Sequence, residues 1–188
     1  MESGNKLTSE DEPIRLDPIC DTDEGGTLYL TLAPGKKQPA TKEGGIDWDR
    51  CLHTDLIRIK SEYEIDCIVC LLEHHEFDSL KIHDYPEVVR EYNFDIIHYP
   101  IRDKDIPENM AKFHELVKTV HGRLHEGQKI AVHCAGGVGR SGTLASAILC
   151  RSGIEPFEAI RLVQERRLNS IKRPSQQNFV CQYYYYYC

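Results

Sequence analysis

Apolar residues along this chain fall into short dense runs separated by longer stretches of helical period. The run Cys67-Ile68-Val69-Cys70-Leu71-Leu72 is nearly unbroken, the pattern of a strand covered on both faces. Shorter strand patterns occur at Thr27 to Leu32, Phe94 to Tyr99 and Lys129 to His133. Helical spacing is expected from Asp49 to Glu62, where Cys51, Leu52, Leu56, Ile57 and Ile59 fall on one side, and Trp48 is expected to plug that helix against the sheet. Pro86 opens a short helix to Tyr92, in the first turn where proline is tolerated. From Pro107 to Glu126, Phe113, Leu116, Val117, Val120 and Leu124 follow the helical period, and Gly127 fits the C-terminal cap. Further helices are predicted from about Gly139 to Arg151, where Gly153 stops the turn, then Pro156 to Arg167 and Pro174 to Tyr187. Strands alternating with helices predict an α/β fold with a central, mostly parallel sheet flanked by helices. Residues 1–26 are rich in acidic and small polar residues. They read as a solvated or loosely packed acidic arm, with Pro13 to Ile19 extended along a single domain at 27–188.

Composition narrows the function classes. A net charge of −7 argues against a general nucleic-acid binder. No stretch approaches the roughly 18 apolar residues of a membrane span. Met1 to Glu10 lacks the apolar core of a signal peptide, Glu2 is not a myristoylation glycine, and Cys188 cannot open a prenylation box. The expectation is a cytoplasmic protein, with the nucleus also open to it, and no membrane insertion. The eight cysteines lack the dense spacing of a disulfide framework, and most of them read as small buried residues. For Cys67 and Cys70, trapping of oxidised Cys134 as a disulfide is the alternative to a core role. Glu73, His74, His75 and Glu76 offer no zinc-like ligand spacing and read as a polar turn, so neither metal nor cofactor is expected.

The chemistry concentrates in His133-Cys134-Ala135-Gly136-Gly137-Val138-Gly139-Arg140-Ser141-Gly142-Thr143. A strand leads in and a small-residue helix leads out, so the loop sits at the carboxyl end of a central strand and at a helix N-terminus. Free N–H groups and the helix dipole favour an anion there. A cysteine in that field is expected to be a thiolate and a nucleophile. Glycines let the backbone of Ala135, Gly136, Gly137, Val138 and Gly139 turn its N–H groups inward around a phosphate. Arg140 can grip two phosphate oxygens. Ser141 can donate to the sulfur as it leaves, and His133 reads as a buried support for the loop. Asp103 and Asp105 supply two candidate carboxyl groups for protonating the leaving group.

These motifs resemble the cysteine-dependent protein tyrosine and dual-specificity phosphatases. His133-Cys134, five residues, then Arg140-Ser141 is similar to their signature; Tyr99 to Asp103 is similar to their acid segment, and Arg173 to Phe179 to the glutamine segment before the last helix. Order and spacing look most like the cyclin-dependent-kinase-inhibitor-associated phosphatase subgroup. The resemblance implies hydrolysis of phosphotyrosine and phosphoserine or phosphothreonine through a phosphocysteine. It implies Asp103 as acid, with Asp105 as fallback, and Gln176 or Gln177 as positioner of the hydrolytic water. A phosphorylated protein substrate is implied, and a kinase partner rests on the resemblance alone. Phosphoinositide or RNA 5′-phosphate chemistry on the same scaffold, and a phosphoprotein-binding module, are the alternatives.

Overall fold

A computed structural model describes residues 5–40 and 45–188. In chain order the elements are β1 (Asn5–Thr8), β2 (Asp17–Asp21), β3 (Thr27–Thr31), β4 (Lys37–Gln38), β5 (Ile46–Asp49), α1 (Leu52–Tyr63), β6 (Cys67–Cys70), α2 (His74–Ser79), α3 (Tyr85–Glu91), β7 (Asp95–His98), α4 (Met110–His125), β8 (Lys129–His133), α5 (Arg140–Arg151), α6 (Pro156–Arg166) and α7 (Pro174–Tyr187).

The main sheet has the order β2-β3-β8-β6-β7. Only β2 runs antiparallel; β3, β8, β6 and β7 are parallel. Side chains alternate across it. Leu28, Leu30, Cys67, Val69, Ile130 and Val132 face a core completed by Phe113, Val117, Leu144 and Phe179 from α4, α5 and α7. Ile68, Cys70 and Ala131 face the opposite layer, with Leu56 and Ile59 of α1 and Tyr85 and Val89 of α3. Both faces of β6 and β8 are therefore dry, which is why their sequences read as unbroken apolar runs. Cys67 and Cys70 lie fully in the core, and burial pushes their thiols up to about 11 and about 12.

Three expectations need correction. Residues 5–26 are not a loose arm: β2 is an edge strand of the main sheet, and Ile14, Leu16 and Ile19 are buried. Their apolar side chains outweigh the acidic composition around them. Residues 1–4 of that segment lie outside the described residues. Trp48 does not plug α1 against the main sheet. It belongs to β5, in a second three-stranded sheet ordered β1-β5-β4, which delays the start of α1 to Leu52. The polar turn at His74 is instead the helix α2, closed by a capping box between Glu73 and Glu76.

The N-terminal segment is tied to the rest by a buried ion pair. Arg50 donates to both oxygens of Asp55 at 2.8 Å and to the Glu12 carbonyl at 2.7 Å. Asp55 also accepts from the Gly35 N–H at 2.9 Å, fixing the turn after β3.

Candidate active site

The segment from Cys134 to Gly139 joins β8 to α5, so Cys134 stands at the end of the central strand. Cys134 is buried, and two donors reach its sulfur: Ser141 Oγ at 3.1 Å and the Gly137 N–H at 3.3 Å. Burial alone would push the thiol up. The nearby Arg140 charge and hydrogen bonds from Ser141 and Val138 outweigh it, and the thiol lies below its ordinary range.

The loop's carbonyls face outward and are held there. Arg167 donates from Nε to the Gly137 carbonyl and from Nη2 to the Gly136 carbonyl at 3.1 Å. Asp17 of β2 anchors it at 2.5 Å. The Ala135 carbonyl accepts from the Ala33 N–H at 3.3 Å. Gly137 has φ +69°, and a Cβ there would stand 2.0 Å from the Thr31 carbonyl oxygen, so only glycine fits. With carbonyls pinned outward, the N–H groups are left for an anion.

Arg140 is almost fully buried. Glu76 of α2 takes its Nη1 at 2.6 Å and Nη2 at 2.8 Å, and the Ile101 carbonyl takes Nη1 at 2.9 Å. The carboxylate therefore grips one edge of the guanidinium, and among the described residues Nε has no protein acceptor. Burial pushes the Glu76 carboxyl up, but the hydrogen bond and charge of Arg140, with the hydrogen bond from the Glu73 N–H, together outweigh it and hold it below the usual carboxylate range. Sequence reading missed Glu76, although the Glu-x-x-Glu spacing of a capping box was there to be seen.

Beneath the loop, His133 is fully buried and burial lowers it to about 4, so the ring is neutral at physiological pH. Its Nδ1 lies 3.3 Å from the Cys134 carbonyl, which can only accept. Nε2 is then the acceptor for the Tyr85 hydroxyl at 2.6 Å. The ring is committed to support, with no nitrogen left for proton transfer. Tyr85 is a second residue that the sequence did not reveal.

Asp103 reaches the site and Asp105 does not. Asp103 Oδ1 lies 3.2 Å from Arg140 Nη2, with half its side chain open to solvent. Asp105 spends its carboxylate on the Ile106 N–H at 2.9 Å. Asp103, Val138, Gly139, Arg140 and Gln176 line one cavity of about 330 Å³, and Lys104, Lys172 and Arg173 add positive charge to its walls. The two glutamines also separate. Gln176 is buried against Gly139, donates to the Asp105 carbonyl at 3.1 Å and has an unpartnered Oε1. Gln177 instead donates to the Ile171 carbonyl at 2.8 Å and lies outside the lining. No group of three or more His, Cys, Asp or Glu side chains suited to a metal occurs among the described residues.

This arrangement can hold a phosphate against a thiolate, with a carboxyl group opposite. A family model described as "Dual specificity phosphatase, catalytic domain" matches residues 57–186. The chain belongs to the dual-specificity phosphatase family. Within that family setting, the sequence is 37% identical over 89 residues to putative tyrosine phosphatase 197R of Invertebrate iridescent virus 6, covering 45% of this chain and 32% of the viral protein. It is 30% identical over 87 residues to human tyrosine-protein phosphatase non-receptor type 4, covering 43% of this chain and 9% of that protein. The matched regions span a third or less of these relatives. A solved structure of kinase associated phosphatase, with serine in place of its catalytic cysteine, superposes with a TM-score of 0.78 at 21% identity, covering 91% of this chain and 94% of that one. At that identity the likeness shows the fold.

Proposed function

We propose that this dual-specificity phosphatase domain hydrolyses phosphate monoesters on protein tyrosine, serine or threonine side chains. The observation that carries the reading is Cys134, a thiol lowered within its loop by Arg140, which itself lines one cavity together with Asp103. Cys134 attacks phosphorus while the loop N–H groups and the Nε edge of Arg140 hold the equatorial oxygens. Asp103 gives a proton to the departing oxygen. Water then cleaves the phosphocysteine, with Gln176 Oε1 as the free acceptor that aims it. Ser141, already 3.1 Å from the sulfur, stabilises the thiolate as it leaves. The positive walls favour a phosphorylated segment with further acidic groups. The same cations would accept a second phosphate on a phosphoinositide headgroup.

Hydrolysis of a small aryl phosphate with EDTA present tests the reaction. Parallel phosphopeptide and phosphoinositide panels test the substrate. Asp103→Asn is expected to lower kcat by about 10²–10³-fold and flatten the alkaline fall in rate, while Asp105→Asn costs less than about tenfold. A larger loss in Asp105→Asn would reverse the acid assignment. Abolition of turnover by EDTA would overturn the thiolate mechanism.

A further inference from the structure

A buried ammonium stands behind the phosphate loop with no carboxylate of its own among the described residues. Lys36, in the turn after β3, is 5% exposed. Its Nζ lies 5.1 Å from the centre of the Trp48 ring and donates to the Ala135 carbonyl at 3.5 Å. Among the described residues it makes no ion pair. Two other cations face it, and both are matched: Arg50 by Asp55 at 2.8 Å and Arg167 by Asp17 at 2.5 Å. A desolvated ammonium is costly unless something negative lies near it. The carbonyl that Lys36 reaches belongs to the residue directly after Cys134, which sets the ammonium against the segment that carries the thiolate. Burial still lowers the amine to about 8, with Arg50 and Arg167 adding to that fall.

Resting on the phosphatase reading above, we infer that Lys36 is an electrostatic positioning residue: its ammonium, held on the outer side of the loop by the Ala135 carbonyl, shares with Arg140 the work of keeping Cys134 ionised. The two cations approach from different elements. Arg140 comes from α5, whose Ser141 also donates to the sulfur. Lys36 comes from the turn fixed by Asp55. The remaining groups around the sulfur do not replace it. His133 is neutral, Cys70 of β6 is held as a thiol, and Glu76 and Asp103 both face Arg140. Arg140 is thus divided among a thiolate and two carboxylates, whereas Lys36 has no carboxylate partner among the described residues. When substrate arrives, Arg140 must turn its free edge to phosphate. Lys36 does not line the cavity and stays behind the loop.

The test compares Lys36→Met, which keeps the stem and removes the charge, with Lys36→Arg, which restores a charge. The rate of Cys134 alkylation by iodoacetamide is followed against pH in the full chain, with melting curves as a check on folding. Lys36→Met is expected to raise the alkylation midpoint by about one pH unit, a tenfold slower reaction on the acid side, and Lys36→Arg to restore most of it. A folded Lys36→Met with the wild-type midpoint overturns the inference alone. A wild-type Cys134 that titrates as an ordinary thiol overturns the phosphatase reading with it. Should Lys36→Met not fold, the reciprocal effect decides. An NMR titration of the Lys36 side chain should show its midpoint falling in Cys134→Ala by a matching amount, since coupling between two sites is mutual. An unmoved Lys36 midpoint overturns the inference.

Discussion

Exchanging Cys134 for serine is expected to lower aryl-phosphate turnover by about 10⁵-fold while leaving the melting temperature nearly unchanged. The loop's hydrogen bonds and the Arg140 charge can hold a thiolate, because a thiol is already acidic enough that a modest shift ionises it near neutral pH. They cannot ionise a hydroxyl, whose proton is held far more tightly. A serine nucleophile needs a neighbouring base, and the one imidazole close by is unavailable. His133 has one ring nitrogen on the Cys134 carbonyl and the other on Tyr85. Phosphate should still bind, since the Gly137 N–H and Arg140 remain. Turnover in Cys134→Ser above about 1% of wild type, measured on protein free of wild-type contamination, would sink the covalent mechanism.

Glu76→Ala is expected to do damage of two kinds. Removing the carboxylate strands the buried Arg140 charge, at a cost of about 3–5 kcal/mol in denaturant unfolding. It also frees the guanidinium to leave the orientation in which its Nε edge faces the loop, so kcat should fall by about 10²–10³-fold. Glu76→Gln keeps the shape and one acceptor, and should fall between. The pH dependence has a definite sign. The Glu76 carboxyl is depressed in the fold, so its contribution is complete above the ordinary carboxylate range and is lost as pH falls through the lowered value. Wild type should therefore lose more stability than Glu76→Gln on acidification. Equal losses would show that the pair carries little.

The candidate site's loop was legible because its parts are close in sequence. Cys134, Ser141 and Arg140 lie within eight positions, and the strand and helix around them carry strong periodic patterns. The sheet strands β6 and β8 were equally plain, being dry on both faces. What escaped is what only the folded chain brings together. Glu76 is 64 positions from Arg140, and Tyr85 is 48 from His133. Lys36 stands 99 positions from the carbonyl it caps. The short strands β1, β4 and β5 hold two to four residues each, too few for a period to show. Asp103 over Asp105 could be favoured by resemblance, but the choice rests on geometry, since both sit in one turn and only one side chain points at Arg140.

The Asp17–Arg167 contact carries a consequence for where this protein can be cut. The family match begins at residue 57, yet β3 pairs along its whole length with the central strand, and β2 covers the outer side of β3. A chain trimmed to start at Thr27 would expose a bare strand edge, open to pairing with other chains. It would also take Asp17 from Arg167 and loosen the outward-facing carbonyls of Gly136 and Gly137. Such a fragment is expected to self-associate and to bind phosphate more weakly. The stretch that marks kinship is thus shorter than the stretch that folds, and β2 and β3 form one mechanical unit with the Cys134 loop.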